Sequence, residues 1–329
     1  MGHPFESWQH FFCALRLPLS SLFLIIFPFS AFALTPKQLL DAGRVDDAIV
    51  SLQQQISQNP KDASAYNLLC RAYFEMDDWD QGIPNCERAR DLDPTSSTYE
   101  LWLGRIYGEK ADHVMFLSAA ALAKKVHAAF EHAVELDPKN ADARTDLAEF
   151  YLEAPAIVGG GKDKAHQQAD ALMALNPGMA HWIQARIDEK NKDSQAADTE
   201  YRAAIIASHS AAREWFDYAA FLRHAGRMGE MEEALRHLET APLDRRESLM
   251  DGAGLLFKTQ IDTPLAVRLL RRYLSDPVEE GAAFKAHALM GELLERQGDK
   301  KAAAEEFHAS LALAHNYKRA QEDLQQLDH

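Results

Sequence analysis

The sequence of 329 residues lacks the short motifs that mark common enzyme sites. It contains no H-E-x-x-H, C-x-x-C or G-x-S-x-G pattern, so nothing supports a zinc protease, a thiol oxidoreductase or a serine hydrolase. Fourteen histidines are scattered along it, and His127 and His132 are five residues apart, which misses the spacing for joint metal ligation from one helix face. We therefore expect no catalytic site, no cofactor and no bound metal.

Positive charge is scarce. The chain has 35 lysine and arginine residues against 50 aspartate and glutamate residues, a formal net charge of −15. This balance argues against nucleic acid or an anionic membrane surface as the main partner. No block of five like charges occurs, so the acidic residues are spread over solvated faces. Alternating β-branched residues between turns are also missing, and this favours a chain without β-sheet.

The first 33 residues contain one basic residue, Arg16, and one acidic residue, Glu6. An apolar run, LPLSSLFLIIFPFSAFA, follows Arg16 and ends in Ala31-Phe32-Ala33, the small-x-small pattern that signal peptidase cleaves. We expect residues 1–33 to be a signal peptide and the mature protein to be periplasmic or secreted, without stable membrane insertion. The alternative is an uncleaved anchor helix.

A period of 34 residues organises the rest of the chain. Pro60 and Pro94 are 34 residues apart, and each follows an apolar helical run. Numbered so that Pro94 is position 32, the unit between them has apolar or small residues at positions 4, 7, 8, 11, 20, 24 and 27: Tyr66, Leu69, Cys70, Tyr73, Gly82, Cys86 and Ala89. The first four positions form one stripe of a first helix and the last three form one stripe of a second helix. Small residues at positions 8 and 20 let the two helices approach closely.

This spacing resembles the tetratricopeptide repeat, whose signature is W-x2-L-G-x2-Y, then A-x3-F, then P. The resemblance covers nearly all of residues 34–329 and implies an all-α, right-handed superhelical solenoid of about eight antiparallel helix hairpins. The units are expected at 34–60, 63–94, 97–138, 141–177, 180–207, 212–240, 245–277 and 284–313, with a capping helix at 315–328. A repeat architecture of this kind says much about fold and little about a particular function.

The stretch EAPAIVGGGKDKA, which begins at residue 153, is the one candidate nucleotide site. A phosphate-binding G-x-x-x-x-G-K-[ST] loop needs glycine where Ala156 stands, serine or threonine where Asp163 stands, and a preceding strand. The pattern instead places the stretch between the two helices of the fourth hairpin. We therefore expect an elongated turn, and a nucleotide-dependent factor using residues 154–164 remains the alternative from another functional class.

The third unit carries a ten-residue insertion between its helices, and the fourth carries a five-residue insertion at the equivalent place. Neighbouring hairpins present these turns on the same edge of a solenoid. We expect Ile157 and Val158 to lie near Met115 and Phe116 in a small edge lobe, which either packs on itself or binds a partner.

Cys70 and Cys86 are the two cysteines beyond the expected signal peptide. Both positions face the interior of the second hairpin. An exported protein permits a disulfide between them, and the alternative is a pair of buried thiols.

The resemblance implies that the first helices line a concave face that meets partner peptides. Arginines recur on this face beside aromatic residues, and such a pairing can hold a peptide carboxylate. The candidate partner-binding residues are Arg71, Arg105, Arg186, Trp182, Arg213, Phe216 and Arg223. The alternative is that the arginines pair with the surplus acidic residues along the groove.

We expect a non-catalytic scaffold or adaptor that binds a protein or peptide in the cell envelope. An accessory subunit of an envelope assembly or secretion machinery would differ from it only in the partner.

Overall fold

The computed structural model describes residues 34–275 and 282–327. All regular structure in these ranges is helical, with seventeen α-helices and one short 3₁₀ turn, and this confirms the all-α prediction. The expected signal peptide lies outside the described residues. Within the described ranges, no helix has the length and apolar character needed to cross a membrane.

Sixteen helices form eight consecutive antiparallel hairpins. The first helices of these hairpins are α1 (Pro36–Asp41), α3 (Ala63–Glu75), α5 (Ser97–Asp112), α7 (Ala141–Glu153), α9 (Pro177–Lys190), α11 (Ala212–His224), α13 (Glu247–Thr259) and α15 (Ala283–Arg296). The second helices are α2 (Val45–Gln58), α4 (Trp79–Leu92), α6 (Phe116–Leu136), α8 (Lys162–Leu172), α10 (Ser194–Ala207), α12 (Met228–His237), α14 (Thr263–Leu274) and α16 (Lys300–Leu313). The last helix, α17 (Lys318–Leu327), covers the final hairpin, where Ala320 and Leu327 are buried in one apolar cluster with Phe307.

Short polar side chains fix where many of these helices begin. The Asp62 carboxylate accepts the backbone N–H of Ala65, and the Asn140 side-chain oxygen accepts that of Ala143, each at 3.0 Å. Each such cap satisfies a donor that the first helical turn leaves open and contributes about 1 kcal/mol. The Gln55 side chain also donates to Asp62, and together with the cap this lowers the pKa of the Asp62 carboxyl.

Pro177 has a different role from the one that the repeat pattern indicated. The sequence places it at the end of the fourth unit and begins the fifth at residue 180. In the structure it is the first residue of α9, and the Asn176 side chain caps that helix. Proline suits this position because its missing N–H would have no helical partner there.

Small residues allow the two helices of a hairpin to approach closely, as the pattern indicated. A Cβ atom added at Gly104 would come within 2.4 Å of the Phe130 ring, and one added at Gly291 would come within 2.5 Å of the Phe307 ring. A single apolar core then continues from the second hairpin to the last. We call this the main core.

A tyrosine–acid pair joins consecutive hairpins at a fixed spacing of twenty residues. The Tyr151 hydroxyl donates to Glu131 and the Tyr218 hydroxyl donates to Asp198, each at 2.9 Å. Tyr107 donates to Glu87 in the same way. Burial raises the pKa of Tyr218 to about 12, and the bond to Asp198 adds to this effect. The repeat pattern indicated the tyrosines but not the acids to which they bind.

Candidate functional site

The first helices carry two similar clusters, each with a tryptophan between two arginines. In the first cluster, the guanidinium carbons of Arg71 and Arg105 lie 4.6 and 4.9 Å from the centre of the Trp102 ring system. In the second, those of Arg186 and Arg213 lie 5.4 and 5.8 Å from that of Trp182. Contacts of this kind hold each guanidinium over an aromatic face. The structure therefore brings together five of the seven predicted concave-face residues, in two groups.

Trp102 is the member of these clusters that the sequence analysis did not select. It precedes Arg105 by three residues, much as Trp182 precedes Arg186 by four. In a helix, residues three or four apart are neighbours on one face, so an aromatic residue at this distance before a concave-face arginine was the available signal.

Helix α7 presents an acidic stripe, Asp146, Glu149 and Glu153, between the two clusters. Arg105 Nε lies 2.6 Å from Asp146 Oδ2, and Arg186 Nη2 lies 2.7 Å from Glu153 Oε1. Burial opposes the charge of Arg105, but the Asp146 carboxylate outweighs burial and raises the pKa of this guanidinium. Burial also raises the pKa of Glu149, although Arg186 opposes this change. The acidic stripe thus links α5, α7 and α9 by ion pairs across the concave face.

The two clusters differ in their electrostatic balance. The pKa of Arg71 is lowered to about 10, first by burial and then by the positive charge of Arg105, while Asp41 partly offsets the effect. In the second cluster, burial opposes the charge of Arg186, but Glu149 together with Tyr201, Glu153 and Glu189 raises its pKa. Arg71 and Arg105 repel each other in the first cluster, and a carboxylate that reached both would relieve this repulsion.

The remaining predicted concave-face residues lie outside these clusters. Phe216 is partly buried and packs against the main core. Arg223 approaches His224, with 2.7 Å between Nη2 and Nε2. Farther along the face, burial raises the pKa of the Asp217 carboxyl to about 6, even though Arg213 opposes the shift. Asp217 is itself 3.9 Å from Arg213. Whether any of these residues binds a partner stays a prediction.

Cys70 and Cys86 meet inside the second hairpin. Their sulfur atoms are 1.90 Å apart, and their Cα atoms are 5.2 Å apart, a separation that a disulfide spans. Both side chains are completely buried. The bridge joins α3 to α4 directly beside Arg71.

The glycine-rich stretch forms the turn between α7 and α8, and it follows a helix rather than a strand. Gly159 has a φ of 111°, a left-handed conformation that favours glycine. A Cβ atom at Gly160 would lie 1.8 Å from the Ala154 carbonyl oxygen, so this position has no room for a side chain. Lys162 Nζ donates to Asn191 Oδ1 at 2.7 Å, a contact with the next hairpin. The geometry is that of an elongated turn.

The predicted edge lobe does not pack on itself. Helix α6 begins early, at Phe116, but Met115, Phe116 and Ile157 are 85, 83 and 88% exposed. Val158 alone is buried, in a 3₁₀ turn that contacts α6, and a Cβ atom at the following Gly159 would meet the His127 ring at 2.6 Å. His127 lies eleven residues beyond Phe116, about 16 Å along the helix. The fourth-hairpin turn therefore packs against the middle of α6 and leaves the tip of that helix exposed.

These features define a helical-repeat solenoid, in which each hairpin buries its faces against its neighbours. Models of the tetratricopeptide repeat match residues 39–100 and 129–173. The chain thus contains tetratricopeptide repeats, as its spacing predicted.

Two curated proteins share short segments with it. The chain is 40% identical over 63 residues to the cellulose synthase operon protein C of Escherichia coli K12, which is 19% of this chain and 5% of that protein. It is 26% identical over 136 residues to peroxisome biogenesis protein 5 of Arabidopsis thaliana, which is 35% of this chain and 19% of that protein. The matched segments thus span a small part of these relatives.

The crystal structure of yeast Tom70 is similar in fold. It superimposes with a TM-score of 0.52 and 15% sequence identity, over 86% of this chain and 58% of that one. At this identity the likeness concerns the fold alone.

Proposed function

We propose that this protein is an exported, non-catalytic scaffold that binds an extended acidic segment of a protein partner at the Arg71–Trp102–Arg105 cluster. Tetratricopeptide repeats indicate a protein-interaction scaffold, and the partner is not identified by the matches.

The observation that carries the proposed place of binding is the electrostatic balance of the cluster. Two guanidinium groups share one tryptophan, and burial followed by the positive charge of Arg105 lowers the pKa of Arg71. A carboxylate from a partner can bind two such groups bidentately while an adjacent side chain stacks on the indole. The net charge of −15 of the whole chain repels acidic segments, so a local basic cluster would decide where such a segment binds.

The proposed location rests on the sequence alone. Residues 17–33 are uncharged, apolar for most of their length, and end in Ala31-Phe32-Ala33. In the envelope, the Cys70–Cys86 disulfide would be stable, because the compartment is oxidising. If the partner belongs to an envelope assembly, the protein would be an accessory subunit of that assembly.

A crosslinked pull-down from the organism's own envelope fraction tests this proposal. One bait is the tagged chain, and the second carries Arg71→Glu with Arg105→Glu. The matched control carries Arg268→Glu with Arg271→Glu, two charge reversals on α14, a second helix. We expect a partner that the first bait and the control capture and the second bait loses. Circular dichroism of each bait confirms that the helices are intact.

Two other results would contradict the proposal. A partner retained by the double Arg→Glu bait would show that binding occurs elsewhere, with the exposed tip at Met115 and Phe116 as the next surface to change. Capture of no partner by any bait would contradict the scaffold function itself.

A further inference from the structure

The two ends of the described chain contact each other although more than two hundred residues separate them. Lys285 Nζ at the start of α15 lies 2.9 Å from Asp77 Oδ1, in the turn after α3. His315, just after α16, donates its backbone N–H to Asp46 Oδ2 at 2.7 Å, and its Nδ1 lies 2.6 Å from the same oxygen. Eight hairpins therefore complete one superhelical turn.

The contact joins opposite edges of the solenoid. On the first hairpins it uses the end of α1, the start of α2 and the end of α3, which lie at the turns inside hairpins. On the last hairpins it uses the start of α15 and the end of α16, which lie at the turns between hairpins. The last hairpins are thus stacked edge-on against the first ones, as successive turns of a superhelix are.

An apolar cluster separate from the main core lies between the two edges. Its buried members are Leu39, Leu40, Val45, Ala48 and Ala72 from the first hairpins and Ala282, Phe284 and Ala314 from the last. Half of these residues are alanines, so each contributes little apolar area compared with a leucine or phenylalanine. The buried residues of this cluster are different from those of the main core, and the partly buried Met250 and Leu313 pack against both.

The polar part of the contact is weak for a related reason. The side chains of Lys285 and Asp77 are 25 and 50% exposed, and those of His315 and Asp46 are 69 and 27% exposed. Exposed ion pairs contribute at most about 1 kcal/mol each. We therefore expect this contact to open locally, with a free energy of opening well below the free energy of global unfolding.

We propose that this end-to-end contact is a reversible clasp, which closes the superhelical turn and limits access to the concave face. The clasp consists of the eight-residue apolar cluster and the Lys285–Asp77 and His315–Asp46 pairs. Opening it separates the first hairpins from the last ones, and every hairpin stays folded. The effect on partner access rests on the proposed function, and the opening itself does not.

Hydrogen exchange of the full chain tests the opening. The opening variant is Lys285→Glu, which places a carboxylate opposite Asp77 and near Glu75. Lys285→Arg keeps the charge, and Lys301→Glu makes the same reversal on an exposed residue of α16 outside the clasp. We expect Lys285→Glu to speed exchange about tenfold in Leu39–Ala48 and at the start of α15 together, with α9 unchanged. Both control variants should exchange like the wild type.

Two results would overturn the clasp. In one, the two edges exchange independently of each other or do not respond to Lys285→Glu. In the other, α9 loses protection together with the edges, which would make the contact part of global unfolding.

Partner access has its own readout, the pull-down with Lys285→Glu as bait. More partner captured by this bait than by Lys285→Arg supports control of access. Equal amounts of partner captured by Lys285→Glu and Lys285→Arg would contradict control of access but not the proposed function. Capture of no partner by the wild type contradicts the proposed function, and the exchange result still decides whether the clasp opens.

Discussion

The middle of the solenoid and the contact between its two ends use the same kinds of interaction in different proportions. Between α5, α7 and α9, ion pairs such as Arg105–Asp146 cross the concave face above a continuous apolar core. At the ends, the Lys285–Asp77 pair accompanies a cluster in which half of the buried residues are alanines. A continuous apolar core therefore holds the middle, whereas a small apolar cluster and two partly exposed ion pairs join the ends. Substitutions in the two regions should therefore differ in their effects on global unfolding and on local hydrogen exchange.

Removal of a large side chain from the main core should lower the free energy of unfolding of the whole solenoid. Leu103 is 1% exposed, and Leu103→Ala should lower the free energy of unfolding by about 2–5 kcal/mol through lost packing and a cavity. Leu40→Ala at the end contact is the matched change, since Leu40 is 4% exposed. It should increase exchange at the two edges and shift the global urea midpoint much less. Equal shifts of the midpoint would show that the ends belong to the same cooperative unit as the middle.

Loss of the Cys70–Cys86 bridge should have the next largest effect. The cysteines are 16 residues apart, and a loop of this length is stabilised by about 3 kcal/mol in the chain-entropy model. Cys70→Ala with Cys86→Ala should lower the urea midpoint of the oxidised protein by the corresponding amount. An unchanged midpoint, together with two free thiols in the untreated protein, would show that the pair is reduced. The bridge adjoins both regions, because the second hairpin carries Arg71 and Ala72.

Glu75 should make stability depend on pH at the junction of the two regions. Burial raises its pKa from 4.5 to about 7, Lys285 and Arg71 oppose the shift, and Glu247 and Asp77 add to it. The fold thus favours the protonated form, so the stabilisation is present below pH 4.5 and is lost as the pH rises through about 7.

Glu75→Gln should therefore raise the free energy of unfolding at pH 8 by about 2 kcal/mol, with little change at low pH. Urea unfolding at several pH values measures this difference. Glu233→Gln, on an exposed position of α12, is the control. Parallel pH profiles for Glu75→Gln and the wild type would contradict the burial of this carboxyl in the closed turn.

The smallest effect concerns the tyrosine–acid pairs that link neighbouring hairpins in the middle. Tyr151→Phe removes the hydroxyl that donates to Glu131 and should cost about 1 kcal/mol. Exchange at the end contact should not respond, because this pair lies away from it. A larger loss of protection from hydrogen exchange at the ends than at α7 would show that strain passes around the superhelix.

The sequence predicted the hairpins well because their signals are local. A 34-residue period, small residues at the closest helix contacts and a polar residue before many helices each act within one hairpin or between neighbours. Pro177 shows the limit of this approach, since proline both ends helices and begins them. Asn176, which caps the next helix, was the residue that distinguished the two roles.

The contact between the ends could not be predicted in the same way. It depends on a small rotation added at each of eight hairpins, and no short pattern records that sum. The exposed tip of α6 at Phe116 could not be predicted either, because the length of an insertion does not show the surface on which it packs. Trp102 was accessible in principle, at a helical spacing from Arg105, and the acids of α7 were visible only as ordinary surface charge.

Small-angle X-ray scattering of the full chain tests most directly whether the solenoid is one closed turn. The closed turn predicts that the profiles of the wild type and of Lys285→Arg match the one calculated with the first and last hairpins in contact, with equal helix content in both. A wild-type profile that requires the first and last hairpins to lie apart would contradict the closed turn.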